Sequence, residues 1–195
     1  VTWNSGTVTS VAGALEADVL LVPAATADGT ALHAVAAADV TLEPVVSLDM
    51  TRQLADVVLD ATPGTPVVAE AGPAVRRALR AGAALLASEQ LGVARWCLDE
   101  TVGYLKQRRQ FGRVVGGFQA LKHRLADLAT AVDSANAAAR YVAALPGDDP
   151  DLELGVAVAQ AYCSDAAVTA AEEAVQLHGG IGMTWEHPAH LYLKR

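Results

Sequence analysis

At 195 residues, 52% hydrophobic and 18% charged, the chain can bury one large or two small cores, and its composition is not that of a disordered segment. Its 14 basic residues against 22 acidic ones give a net charge of −8, which argues against a broad nucleic-acid-binding face but not against a local basic site for one small anion. No charge-free apolar stretch reaches about 18 residues and residues 1–6 have no basic start, so neither a membrane span nor a secretory leader is expected, and the cytoplasm is the default.

Residues 1–70 read as strands. Residues 7–11 are a β-branched run, residues 18–22 a second that Pro23 should stop, and residues 32–36, 40–42 and 54–59 three more. Asp28-Gly29, Pro44 and Pro63-Gly64 supply turn chemistry between them. From Gly72 the apolar period becomes helical. Leu79, Ala83, Leu86, Gln90, Val93, Cys97, Thr101 and Tyr104 recur at steps of three or four. Leu121, Leu125, Leu128, Val132, Ala135, Ala139 and Val142 do so again, and Val156, Cys163, Ala170 and Leu177 recur at sevens. Asp149 is placed to cap the third helix, with Pro150 in its first turn and Gly179 as its stop. Long helices joined at Gly116-Gly117 and Pro146-Gly147 predict an antiparallel bundle.

The expected fold is therefore α+β: an antiparallel β domain over 1–70, incomplete at its start, then an antiparallel α-helical bundle over 71–195. Cys97 and Cys163 fall on apolar helix positions and read as small buried hydrophobes, not as a disulfide. The helices are Ala-rich and apolar on more than one face, which predicts self-association.

Two segments could carry chemistry. In residues 106–113, Arg108, Arg109 and Gln110 precede Phe111, so a forked cation and an amide flank an aromatic ring; the plain alternative is a solvated cationic helix end. In residues 176–182, Gln176 and His178 precede Gly179, Gly180 and Gly182. The consecutive glycines let backbone approach a flat ligand; the plain alternative is a helix stop. The glycines lack the spacing and the preceding strand of a dinucleotide-binding motif.

In order and spacing these segments resemble the acyl-CoA dehydrogenases. Arg108-x-Gln110-Phe111-Gly112, then Phe118-Gln119, then Leu125-Ala126-Asp127, then Gln176-x-x-Gly179-Gly180-x-Gly182 carry the likeness. Residues 17–22 and 47–52 are similar to that family's middle β domain. The resemblance implies an FAD-dependent α,β-dehydrogenation of an acyl-CoA thioester, in which a carboxylate takes the α-proton and the flavin the β-hydride. It implies FAD shared across subunits of a homo- or hetero-oligomer, and an electron-accepting flavoprotein as partner. Arg108, Gln110 and Phe111 match residues at the cofactor's pyrophosphate, Phe118 and Gln119 those near its adenine end, and Gln176, Gly179 and Gly180 the stretch that approaches from the partner chain.

The catalytic residue stays unassigned. The family's usual glutamate position lies beyond Arg195, and Gly82 occupies the alternative one, so the 195-residue chain by itself is expected to be inactive. Arg80 and Ala83 stand where the family has substrate-contacting residues. A non-catalytic subunit that lends FAD-binding residues to a partner is the other implied role. The wording of residues 184–193 is similar to a branch acting on bulky, including steroid-linked, acyl-CoA esters. His187 and His190 have no third ligand at a suitable spacing, so no metal is expected. Lys122, His123 and Arg124 read as a solvated helix face, Asp99 and Glu100 as solvated helix carboxylates, and Glu186 as the loop carboxylate nearest the glycines.

Overall fold

The computed structural model describes residues 6–27 and 29–195; the turn expected at Asp28 and the reading of residues 1–5 lie outside them. The chain divides into two compact units, Val1–Ala78 and Leu79–Arg195.

The first unit holds β1 (Gly6–Ala12), β2 (Val19–Thr26), β3 (Gly29–Ala36), β4 (Thr41–Val45), β5 (Leu54–Leu59) and β6 (Thr65–Val68). They form two antiparallel three-stranded sheets, ordered β1-β5-β4 and β2-β3-β6. Ala55 and Val57 of β5 meet Ala14 in the core, with Val11, Leu20, Val40 and Leu42 packed around them.

Three proline positions correct the sequence reading. Pro23 does not stop its strand, Pro44 is not a turn, and the unpredicted β6 contains Pro66. All three sit on edge strands, where a missing N–H can face away from the ladder. The motif 47–52 is a local turn: the buried Asp49 carboxylate accepts from the Thr51 amide at 2.9 Å and its hydroxyl at 2.6 Å, with Arg52 at 3.8 Å.

The second unit is a helical bundle. Its helices are α1 (Ala71–Gln107, which begins in the first unit), α2 (Gln119–Ala144), α3 (Leu152–His178) and α4 (Ala189–Lys194). Two apolar clusters run along it. Ala87, Ala135, Ala139, Val156 and Cys163 anchor one; Ala94, Cys97, Leu128, Val132 and Ala174 anchor the other. Alanine contributes only about 0.8 kcal/mol per buried carbon, so close helix approach, not side-chain bulk, builds this core. Both cysteines are free and fully buried; burial pushes the Cys97 thiol up to about 12 and raises Cys163 as well.

Four expectations shift. On α1 the buried seam runs through Ala87, Ala94, Cys97, Thr101 and Leu105, while Leu79 and Leu86 are exposed. Small residues take the inner face because the helices approach closely there. On α3 the seven-step from Ala170 to Leu177 fails: Ala174 and His178 are buried instead, because a straight helix drifts against a strict seven-residue repeat. Asp149 does not cap α3; its carboxylate accepts the Asp151 amide at 2.9 Å in the preceding turn, and the helix starts at Leu152. Arg124 is not simply solvated either: its Nε and Nη2 donate to both Glu173 oxygens at 2.9 and 2.7 Å, tying α2 to α3.

Candidate functional site

α1 ends at Gln107, and the chain then reverses in a small hairpin of β7 (Arg109–Gln110) and β8 (Arg113–Val114) that no periodicity announced. The Val115 amide extends its ladder by donating to the Arg108 carbonyl at 2.8 Å. Phe111 and Gly112 form the reversal with φ of 53° and 73°, as a type I′ turn demands. Glycine takes such angles freely; Phe111 does so at a cost of about 1–3 kcal/mol, with its ring 86% exposed. Because side chains alternate along extended backbone, Arg108 and Gln110 share one face and Arg109 takes the other.

Arg113, which the motif reading passed over, holds this corner. Its Nη2 donates to the Gly117 carbonyl and its guanidinium lies 4.4 Å over the Phe118 ring. Phe118 meets Phe111 edge-on at 6.1 Å and precedes α2, whose first residue, Gln119, places Nε2 3.5 Å from Nε2 of His123.

At the end of α3, Gln176 is exposed and Gly179 closes the helix with φ 65°. A 3-10 turn, Gly179–Met183, follows. Gly182 is pressed onto the helix: an added Cβ would lie 2.6 Å from the Val175 carbonyl oxygen. Gly179 and Gly180 face open space.

His178 ties this end of the bundle together. It stacks on Tyr104 of α1 at 4.5 Å, so the hairpin, the start of α2 and the glycine turn occupy the same end. The expected positions Arg108, Gln110, Phe111, Phe118, Gln119, Gln176, Gly179 and Gly180 are therefore gathered into one region. Gly82 is not: it lies on α1 about 40 Å along the helix from Arg108. Near Gly82, Arg195 pairs with Glu89 at 2.8 Å beside a cavity of about 240 Å³, lined by Leu86, Gln90, Ser164, Val168 and Tyr192. Gln90 donates to the Ser164 hydroxyl there at 2.9 Å, a polar link between α1 and α3 that sequence spacing does not reveal.

His187 and His190 do not converge. His190 meets Trp185 edge-on at 4.6 Å and lies near Lys194, whereas His187 turns inward to His178 at 4.1 Å and to Glu100 at 3.7 Å. Glu100 thus does not stand among solvated carboxylates alone. Burial lowers the His178 pKa from its ordinary 6.5; the Ala174 carbonyl raises it, His187 lowers it and Glu100 raises it, each by less. No helix among the described residues is long and apolar enough to cross a membrane.

The second unit is thus a helical-bundle domain that presents forked cations, an exposed aromatic ring and bare glycine backbone at one end. The family model for the C-terminal domain of acyl-CoA dehydrogenases matches residues 72–195, and the chain belongs to that family. It is 42% identical over 194 residues to acyl-CoA dehydrogenase FadE34 of Mycobacterium tuberculosis, covering 98% of this chain and 26% of that protein. Among solved structures it resembles the steroid ACAD Tcur3481-Tcur3483, with a TM-score of 0.84 and 32% identity over 97% of this chain and 52% of that one. The ChsE4-ChsE5 complex from Mycobacterium tuberculosis is matched equally well, with a TM-score of 0.84, 32% identity and the same coverage. The chain thus spans about a quarter of the length of FadE34 and half that of these structures.

Proposed function

We propose that this chain supplies the helical FAD-binding half, with part of the middle β domain, of an acyl-CoA dehydrogenase. The observation that supports the reading is the hairpin, which sets Arg108 and Gln110 on one side of an extended strand at the same end of the bundle as the glycine turn. The residues fit the cofactor. A diphosphate asks for a forked cation, and an isoalloxazine or adenine plane for exposed ring and side-chain-free backbone. Arg108 would bind the pyrophosphate, with Gln110 and Phe111 beside it. Phe118 and Gln119 would lie toward the adenine, and Gln176, Gly179 and Gly180 would approach the cofactor of a partner subunit. FAD, when bound, supplies the hydride acceptor for α,β-dehydrogenation of the acyl thioester. Reoxidation by an electron-transferring flavoprotein and a site in the cytoplasm accord with this reading.

The test compares Arg108→Ala with Arg109→Ala in the full-length protein. A charge-assisted bond is worth about 1.5–3 kcal/mol, so Arg108→Ala is expected to weaken FAD retention about tenfold or more and Arg109→Ala not at all. Equal losses would overturn the assignment.

A finer reading concerns the substrate and the assembly. The likeness to a steroid ACAD supports a bulky, steroid-linked acyl-CoA as substrate, and the likeness to the ChsE4-ChsE5 complex supports two unlike subunits. Gly82, at the alternative base position, presents no carboxylate, which favours a subunit that lends cofactor contacts to a catalytic partner. Co-expression with its genomic neighbours decides this: a yellow homo-oligomer that oxidises steroid-linked acyl-CoA without a partner would overturn the hetero-oligomeric reading.

A further inference from the structure

The eight residues between His178 and His187 leave α3, make the glycine turn and return to the bundle. Their two ends meet as a ring pair, with centroids 4.1 Å apart and planes inclined 35°. His178, 3% exposed, is covered by Tyr104 of α1 on one side and by His187 on the other. Its Nδ1 lies 2.7 Å from the Ala174 carbonyl, so Nδ1 carries the proton. Its Nε2 is buried without a hydrogen-bond partner among the described residues. His187 has the opposite tautomer: Nδ1 accepts the Ala189 amide at 3.2 Å, so Nε2 keeps its proton and faces Glu100.

One ligand-type atom from each of Glu100, His178 and His187 lies within 4.8 Å of the other two. The His187 tautomer argues against an ion cage, because its protonated Nε2 offers no lone pair. Arg124 of α2 pairs with Glu173 of α3, and His190 of α4 lies beside Lys194. Glu100, Tyr104 and His187 are the groups placed against His178.

We propose that His178 and His187 form a proton-sensitive latch at the base of residues 179–186: closed while His178 is neutral, and released when a proton reaches its buried Nε2. That nitrogen is the free proton acceptor of the pair. A charge placed there is buried between the Tyr104 and His187 rings and has only the half-exposed Glu100 to offset it. Opening the loop returns the imidazole to water, so the open state gains population as pH falls.

The experiment is hydrogen exchange read by mass spectrometry on the full-length protein, at about pH 7.5 and about pH 5, corrected for the intrinsic pH dependence of exchange. Protection of peptides spanning 179–188 is expected to drop about tenfold or more at the lower pH, while peptides in the middle of α2 keep theirs. His178→Phe, which preserves the stack on Tyr104 but takes no proton, is expected to show equal protection at both values. Nitrogen-15 spectra of the wild-type imidazoles give a second reading that needs no variant: His178 should hold the Nδ1–H tautomer and take up its proton over the range in which loop protection falls. Protection independent of pH, or the same loss in His178→Phe, would overturn the latch. If the glycine turn contacts FAD as proposed above, flavin release should accompany opening, but the exchange measurement does not depend on that reading.

Discussion

At the residue scale, His178 concentrates what is unusual in this chain. It lies one residue before the glycines, where periodicity assigns the buried seat to Leu177, and its own burial makes it a stability determinant with a definite sign. Its folded-state pKa lies below the ordinary 6.5, so as pH falls the unfolded chain takes the proton first. The contribution is intact well above 6.5, is lost progressively below it, and levels off once pH passes the depressed folded value. Urea unfolding followed by helical circular dichroism should show the wild type losing stability between about pH 7.5 and 5.5, with the loss smaller in His178→Phe. Cys97 gives a second residue-scale expectation. A thiol raised to about 12 and fully buried is almost never a thiolate at neutral pH. Its alkylation should therefore proceed at the rate of unfolding and accelerate with denaturant.

At the element scale, the glycine turn and the hairpin rest on different kinds of constraint. The hairpin needs two consecutive left-handed residues and has one glycine, so Phe111 holds its exposed ring in place at a cost in strain. The turn needs a bare backbone: a methyl at Gly182 would collide with the Val175 carbonyl, which cannot move without breaking the last turn of α3. Gly182→Ala is expected to cost about 1–3 kcal/mol in chemical denaturation and to loosen residues 179–186. Gly180→Ala, which points into open space, is expected to change stability little. A Gly182→Ala variant as stable as the wild type would show that the turn adapts. The Arg124–Glu173 pair joins α2 to α3 with good geometry but partly in water, so Arg124→Ala should cost only about 0.5–1 kcal/mol, less at high salt.

At the scale of the whole molecule, the outer side of α3 carries Leu154, Val158 and Tyr162 at successive four-residue steps, all at least 41% exposed, with Tyr141 of α2 beside them. Such a stripe is more than scattered surface hydrophobes and is where association through the helical half is expected. Light scattering at micromolar concentration should return a dimer or larger; a monodisperse monomer would count against it.

Much of this was legible in the residues alone. The change from period two to helical period near Gly72, the three long helices and the buried cysteines are local or evenly spaced signals, which burial on one face imposes. The order of Arg108, Phe118 and Gln176 was legible only through its resemblance to the acyl-CoA dehydrogenases. Pro23, Pro44 and Pro66 were misleading because a proline's effect depends on whether its strand is an edge, and only the sheet order decides that. The hairpin at 109–114 was too short to show a period. The latch was beyond sequence reasoning for a stronger reason: Glu100 lies far from His178 and His187 in the chain, and the two histidines meet only because the glycine turn folds back. Tertiary packing alone sets which imidazole nitrogen is capped by backbone and which is buried without a partner among the described residues.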